Sequence, residues 1–122
     1  MIPGRGVRET FSRDDRLRKR REFEECYASG VRASGRHLQV FVLPADGAKR
    51  LGLSVPRRVG NSPTRNRIRR RLREIFRRHR DRISRPVTLV VNARPSAARA
   101  SFPELREDYE KTVARALSNL KP

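Results

Sequence analysis

Apolar and polar positions along the chain recur with two different periods, and the points where the period switches lay out the elements. Phe23, Cys26 and Tyr27 fall at i, i+3 and i+4, the spacing of one helix face, so a first helix is expected over about 18–29, with Gly30 ending it. The period then drops to two. Over 37–43, Leu38, Val40 and Val42 share one face and His37, Gln39 and Phe41 the other, as in a half-buried strand. Asp46-Gly47 marks a turn. Leu51, Leu53 and Val55 resume the alternation with the small Gly52 and Ser54 opposite, which predicts a second strand, ended by Pro56, with open space above it.

Ser62-Pro63 then reads as a helix cap followed by proline at the first helical position, where a missing N–H costs nothing. The helix it opens is expected to run to about residue 80. Ile68, Leu72, Ile75 and Phe76 share its apolar face, with His79 on the same stripe, while Asn66, Arg69, Arg70, Arg73 and Arg77 project away at about 100° per residue. Val87, Leu89, Val90 and Val91 form a nearly continuous apolar run, the mark of a strand covered on both sides and hence central. Ser101-Phe102-Pro103-Glu104 fits a capping box, and Leu105, Tyr109, Val113, Ala116, Leu117 and Leu120 mark a closing amphipathic helix. The order αββαβα describes an α+β domain over 16–122, a small sheet with helices packed on it. Residues 1–15 mix glycine, proline and charge without periodicity and are expected to form a mobile basic N-terminal arm.

Charge sharpens this picture into a partner class. Thirteen arginines lie between Arg57 and Arg85 against only Glu74 and Asp81, so this stretch carries +11 of the chain's formal +18. A polyanion is the natural partner. The apolar stripe within Arg65-Asn66-Arg67-Ile68-Arg69-Arg70-Arg71-Leu72-Arg73-Glu74 holds the guanidinium groups on an ordered surface, and the near absence of interleaved acids sets it apart from an ordinary solvated helix face. Nucleic acid is preferred over membrane: no run approaches the roughly 20 apolar residues of a spanning helix, and the start of the chain lacks the apolar segment of a signal peptide. The protein is expected in the cytoplasm, with no membrane partner and no obligate protein partner.

Catalytic chemistry on the protein itself finds little footing. Asp14-Asp15 and Glu24-Glu25 are adjacent pairs that point apart on a helix, and no Ser/His/Asp or Cys/His arrangement is visible. Cys26, the one cysteine, excludes an intrachain disulfide and reads as a small buried hydrophobe. His37 and His79 lie in no metal-ligand motif, so no protein metal site and no catalytic side chain are expected. Phe23, Tyr27 and Phe41 divide between two readings, core packing or the walls of a cleft above Gly52 and Ser54. An aromatic cleft with basic rims suits single-stranded RNA, whose unstacked bases lie on rings. Arg36 and Arg57 would hold its backbone.

The run Leu51-Gly52-Leu53-Ser54-Val55-Pro56-Arg57-Arg58-Val59-Gly60-Asn61, followed by Arg65-Asn66-Arg67-Ile68-Arg69-Arg70-Arg71-Leu72-Arg73-Glu74, closely resembles the protein subunit of bacterial ribonuclease P. Arg16-Leu17, Glu22-Phe23, Gly30, Arg36, Ala93-Arg94-Pro95 and Ser101-Phe102 fall on that family's other landmarks, so the resemblance covers about residues 13–120. It implies a two-layer α/β sandwich, like the second domain of a small-subunit ribosomal protein, in which the arginine helix joins parallel strands by a rare left-handed crossover. It further implies that a partner RNA, ribonuclease P RNA, binds Mg2+ and hydrolyses the phosphodiester at the 5′ end of mature tRNA. Arg65, Asn66, Arg67, Arg69, Arg70, Arg73 and Arg77 would then meet the catalytic RNA. Phe23, Tyr27, Arg36, Phe41, Arg57 and Arg58 would take the 5′ leader of precursor tRNA.

The chain departs from the family pattern at Pro56, at Pro63 and in the long arm before Ser12. Arg57-Arg58 stands where paired lysines are frequent, and Phe41 where tyrosine is common, which removes a hydroxyl. The rival reading is a ribosomal or rRNA-assembly protein, for which an arginine helix suffices and an aromatic cleft is superfluous. An independent protein nuclease would need clustered acids to hold metal.

Overall fold

A computed structural model describes residues 16–121, so the arm expected over 1–15 lies outside the described residues. The elements are α1 (Arg20–Ser29), β1 (Val31–Ser34), β2 (Leu38–Pro44), β3 (Arg50–Ser54), α2 (Ser62–His79), β4 (Val87–Ala93) and α3 (Phe102–Ser118). They build one four-stranded sheet in the order β1-β2-β4-β3. β2 runs antiparallel to both β1 and β4, while β3 and β4 are parallel, so α2 is the crossover between two adjacent parallel strands. β4 is interior, as its nearly continuous apolar run predicts. β1 is an addition to the expected order, a short edge strand whose half-buried, half-exposed residues carry no apolar run to announce it.

The alternation of the strands decides what each face meets. Leu38, Val40 and Val42 of β2, Leu89 and Val91 of β4 and Leu51 of β3 pack against Ile68, Leu72, Ile75 and Phe76 of α2 and Leu105, Tyr109, Val113 and Ala116 of α3. This is the main core, and it makes the sheet and two helices a two-layer sandwich. On the opposite face, Leu17, Cys26, Phe41 and Val90 form a smaller cluster under α1, with Phe23 and Leu43 at its margin. α1 therefore covers only part of that face. Cys26 is fully buried, its Sγ 3.6 Å from the Phe41 carbonyl oxygen, and burial pushes its thiol up to about 11, an inert packing residue.

Local chemistry adjusts two boundaries read from the sequence. Asn61, not Ser62, caps α2: its side chain accepts the Thr64 N–H at 3.0 Å, which moves Pro63 one place further into the first turn, where its missing N–H still costs nothing. Gly30 ends α1 in extended backbone (φ −78°), so it is not a left-handed cap; a Cβ there would lie 2.5 Å from the Cys26 carbonyl oxygen and 3.1 Å from that of Val42. Close passage of the chain, and no special dihedral, selects glycine. The capping box forms as predicted, with Glu104 N–H donating to Ser101 Oγ (3.2 Å) and Ser101 N–H to Glu104 Oε1 (2.8 Å).

α3 is tied to the sheet by one carboxylate. Asp108 accepts backbone N–H groups from Arg36 (2.9 Å), His37 (2.9 Å) and Leu38 (3.0 Å), closing the turn between β1 and β2. Gly35 has no room for a side chain there, because a Cβ would lie 2.3 Å from Thr112 Oγ1 and 2.6 Å from Asp108 Oδ1. Among the described residues no helix is long and apolar enough to cross a membrane.

Candidate nucleic-acid interface

Strand register arranges the α1 side of the sheet into rows. Arg32, Phe41, Val90 and Gly52 stand side by side across the four strands, and two residues further on Ser34, Gln39, Asn92 and Ser54 form the next row. The first row lies at α1. Phe23 and Leu17 close over Gly52 so tightly that a Cβ would come within 2.8 Å of the Phe23 ring. The open floor expected above Gly52 is therefore filled by Phe23, and only its Ser54 half remains. There Gln39, Asn92 and Ser54 of the second row line an open cleft of about 390 Å³ together with Arg58, Arg94 and Ser96.

Tyr27 stands at the border of the two rows. Its ring meets Phe41 edge-on with centroids 4.8 Å apart, and its hydroxyl hydrogen-bonds Asn92 Oδ1 at 3.0 Å. At 38% exposure it is the one exposed large hydrophobic side chain among the described residues. Phe23 lies next to it at 6.5 Å and is partly buried, whereas Phe41 is 9% exposed. Of the three aromatic candidates, Phe41 is thus mostly core, Phe23 covers Gly52, and Tyr27 keeps an exposed ring.

The basic candidates separate as clearly. Arg57 and Arg58 are exposed on the short 3-10 turn Arg57–Val59, pinned by buried Val59, and Arg58 lines the polar cleft. The Arg36 carbonyl oxygen accepts from Ser96 Oγ at 3.2 Å, but the residue lines a different depression with His37, Glu104, Glu107, Asp108 and Lys111. Period and motif alone give Asn92 and Ser96 no role and place Gln39 and Arg94 only on a strand face and in a family landmark. Their signal lies in the register, which aligns polar positions from distant segments into one row.

α2 carries eight arginines and one acid, and its two flanks differ. At about 100° per residue, Asn66, Arg69, Arg70, Arg73 and Arg77 lie on one flank, and Arg67, Arg71 and Arg78 on the other. The second flank faces the 3-10 turn Pro95–Arg99 and the link from it into α3, where Arg67 Nη2 donates to the Ala98 carbonyl (2.8 Å) and Arg71 Nη1 to that of Ala100 (3.3 Å). Arg65 turns back to the Gly60 carbonyl and Ser62 Oγ (3.1 and 3.0 Å). On the outer flank Arg69 meets Asn66 Oδ1 at 2.9 Å, and Arg77 pairs with Glu74 at 2.6 Å. Arg70 and Arg73 have no hydrogen-bond or ion-pair partner among the described residues. Partial burial, then the positive charges of Arg16 and Arg69, hold the Arg73 guanidinium below its ordinary range. Such crowding of like charge on a rigid helix is relieved when phosphates take the place of small counterions.

Residues 11–117 match the family model described as Ribonuclease P. The chain is 37% identical over 108 residues to the ribonuclease P protein component of Shouchella clausii, covering 87% of this chain and 88% of that one. The fold is similar to the ribonuclease P protein of Staphylococcus aureus, with a TM-score of 0.78 and 28% identity over 84% of this chain and 94% of that one. It is also similar to the ribonuclease P protein of Thermotoga maritima, with a TM-score of 0.73 and 28% identity over 88% of this chain and 98% of that one.

Proposed function

Since the chain belongs to the ribonuclease P protein family, and so to a ribonucleoprotein of tRNA processing, we propose that its two basic surfaces divide two RNA partners between them. The outer flank of α2 binds ribonuclease P RNA, and the polar row beside Tyr27 holds the single-stranded 5′ leader of precursor tRNA. The observation that carries the division is the row itself: Gln39, Asn92 and Ser54, from three adjacent strands, line an open cleft beside the exposed Tyr27 ring. A ribosomal protein that only coats folded RNA has no use for such a strip.

The geometry gives each group a task. A base stacks on the free face of Tyr27, whose tilt is set by Phe41 below and Asn92 beside it. Gln39, Asn92 and Ser54 offer amide and hydroxyl groups to the edges of the next bases, which stay sequence-tolerant because such groups both donate and accept. Arg58 and Arg94 take the phosphates. Leader contacts then add to those the RNA makes with the mature tRNA, and arginine charge lets two polyanions approach.

Hydrolysis in this proposal is the RNA's, with its magnesium ions. Among the described residues no three His, Cys, Asp or Glu side chains cluster as a metal site. The test is reconstitution: cleavage of precursor tRNA by bacterial ribonuclease P RNA at low magnesium, with and without this chain. Stimulation of kcat/KM that grows with leader length is expected; no stimulation defeats the proposal.

A further inference from the structure

Arg78, Arg82 and Arg106 ring a second concavity of about 510 Å³, in the seam between the last turns of α2 and the first turns of α3, with Phe102 on its wall and His79 and Glu110 at its edge. Its single carboxylate is already engaged. Glu110 receives His79 Nε2 at 2.6 Å and Arg82 Nη1 at the longer 3.5 Å, and Arg78 pairs outside the seam with Glu74. Arg106 has no hydrogen-bond or ion-pair partner among the described residues. Three guanidinium groups thus line a concave, partly apolar surface whose one carboxylate is already held by His79 and Arg82, an arrangement that focuses positive potential.

The seam is separate from both surfaces assigned above. Arg78 follows Arg67 and Arg71 on the α3 flank of α2, away from Arg70 and Arg73, and the sheet stands between this helix layer and the row Ser34, Gln39, Asn92 and Ser54. A leader lying on that row cannot reach it. An RNA lying across α2 can meet both flanks of the helix.

We propose, resting on the functional reading above, that this seam is a second docking surface for the sugar-phosphate backbone of ribonuclease P RNA, with Arg82 and Arg106 each taking a phosphate. Each phosphate neutralised contributes about 0.9 to the slope of log K against log salt on a duplex. The test titrates full-length protein against ribonuclease P RNA, without precursor tRNA, at several salt concentrations. The pair Arg82→Gln and Arg106→Gln is expected to flatten the slope by about 2, and Arg106→Gln alone, which removes no internal contact, by about 1. The pair Arg82→Lys and Arg106→Lys is expected to keep the wild-type slope. Lys111→Gln with Lys121→Gln removes the same formal charge elsewhere and is expected to change it little. An unchanged slope in the Arg106→Gln protein, or equal flattening by the lysine control, overturns the seam. Failure of the wild-type chain to bind the RNA at all would instead overturn the functional reading beneath it.

Discussion

The hydroxyl of Tyr27 donates to Asn92 Oδ1 at 3.0 Å, a bond between α1 and the interior strand β4 that spans 65 residues of chain. It fixes the exposed Tyr27 ring at the edge of the polar row, and so joins the two halves of the candidate leader site. Tyr27→Ala is expected to weaken binding of long-leader precursors by about 1–3 kcal/mol, the worth of one base–ring stack, and to leave one-nucleotide leaders nearly unaffected. Tyr27→Phe keeps the ring and loses only its anchor, so a smaller loss of about 0.5–1.5 kcal/mol is expected. Equal effects of Tyr27→Ala on both leader lengths would show that the ring does not meet the leader.

The two flanks of α2 are expected to respond differently to the same substitution. Arg73→Ala and Arg70→Ala should each lower the log–log salt slope for ribonuclease P RNA by about 1 while leaving the thermal midpoint almost unchanged. Arg67→Ala removes the guanidinium from the Ala98 carbonyl, a charged hydrogen bond worth about 1.5–3 kcal/mol, and should act first on stability. Denaturant unfolding of the free protein beside the salt titration separates the two. A destabilised Arg73→Ala protein with an unchanged slope contradicts this division.

Asp108 gathers three N–H groups of the turn between β1 and β2, and His37 and Leu38, which supply two of them, are buried. Asp108→Ala strands those buried donors at about 1–3 kcal/mol each. Asp108→Asn keeps an acceptor and should lose less. The checking measurement is unfolding free energy by denaturant, with hydrogen exchange at Leu38 reporting on the turn; equal stability of Asp108→Ala and wild type would deny the carboxylate this role.

Acid should loosen α1 before the main core. The Glu22 carboxyl is held below its ordinary value of 4.5 chiefly by the hydrogen bond from Arg50, 2.8 Å away on β3, and then by that residue's charge. Because the folded value is depressed, the stabilisation is present above the ordinary value and is lost as pH falls below 4.5 through the folded one. Glu22→Gln should therefore flatten the acid limb of the stability curve, measured by unfolding between neutral pH and this range. An identical acid limb in wild type and variant would mean that the pair does not hold α1.

Much of this was legible from period alone. The stripe Ile68, Leu72, Ile75 and Phe76 is buried as the helical spacing requires, the run over 87–93 is interior, and the capping box at Ser101 and Glu104 forms. What escaped depends on contacts between distant segments. β1 has four residues and no apolar run, so only pairing with β2 reveals it. Arg67 and Arg70 look alike in a helical pattern, yet one meets the Ala98 carbonyl and the other faces solvent, a difference made by where the 3-10 turn Pro95–Arg99 packs. Gly52 reads as an open floor until Phe23 is seen resting on it. The row of Gln39, Asn92 and Ser54 exists only once register is known.

The most direct test of the leader groove is a site-specific cross-link from its floor. Cys26 is buried, so Ser54→Cys supplies one accessible thiol among the described residues for a short photoreactive arm, in the complex of this protein, ribonuclease P RNA and precursor tRNA. Cross-links confined to nucleotides of the 5′ leader are the predicted result. Cross-links to the mature tRNA body or to ribonuclease P RNA, with the leader untouched, would contradict it.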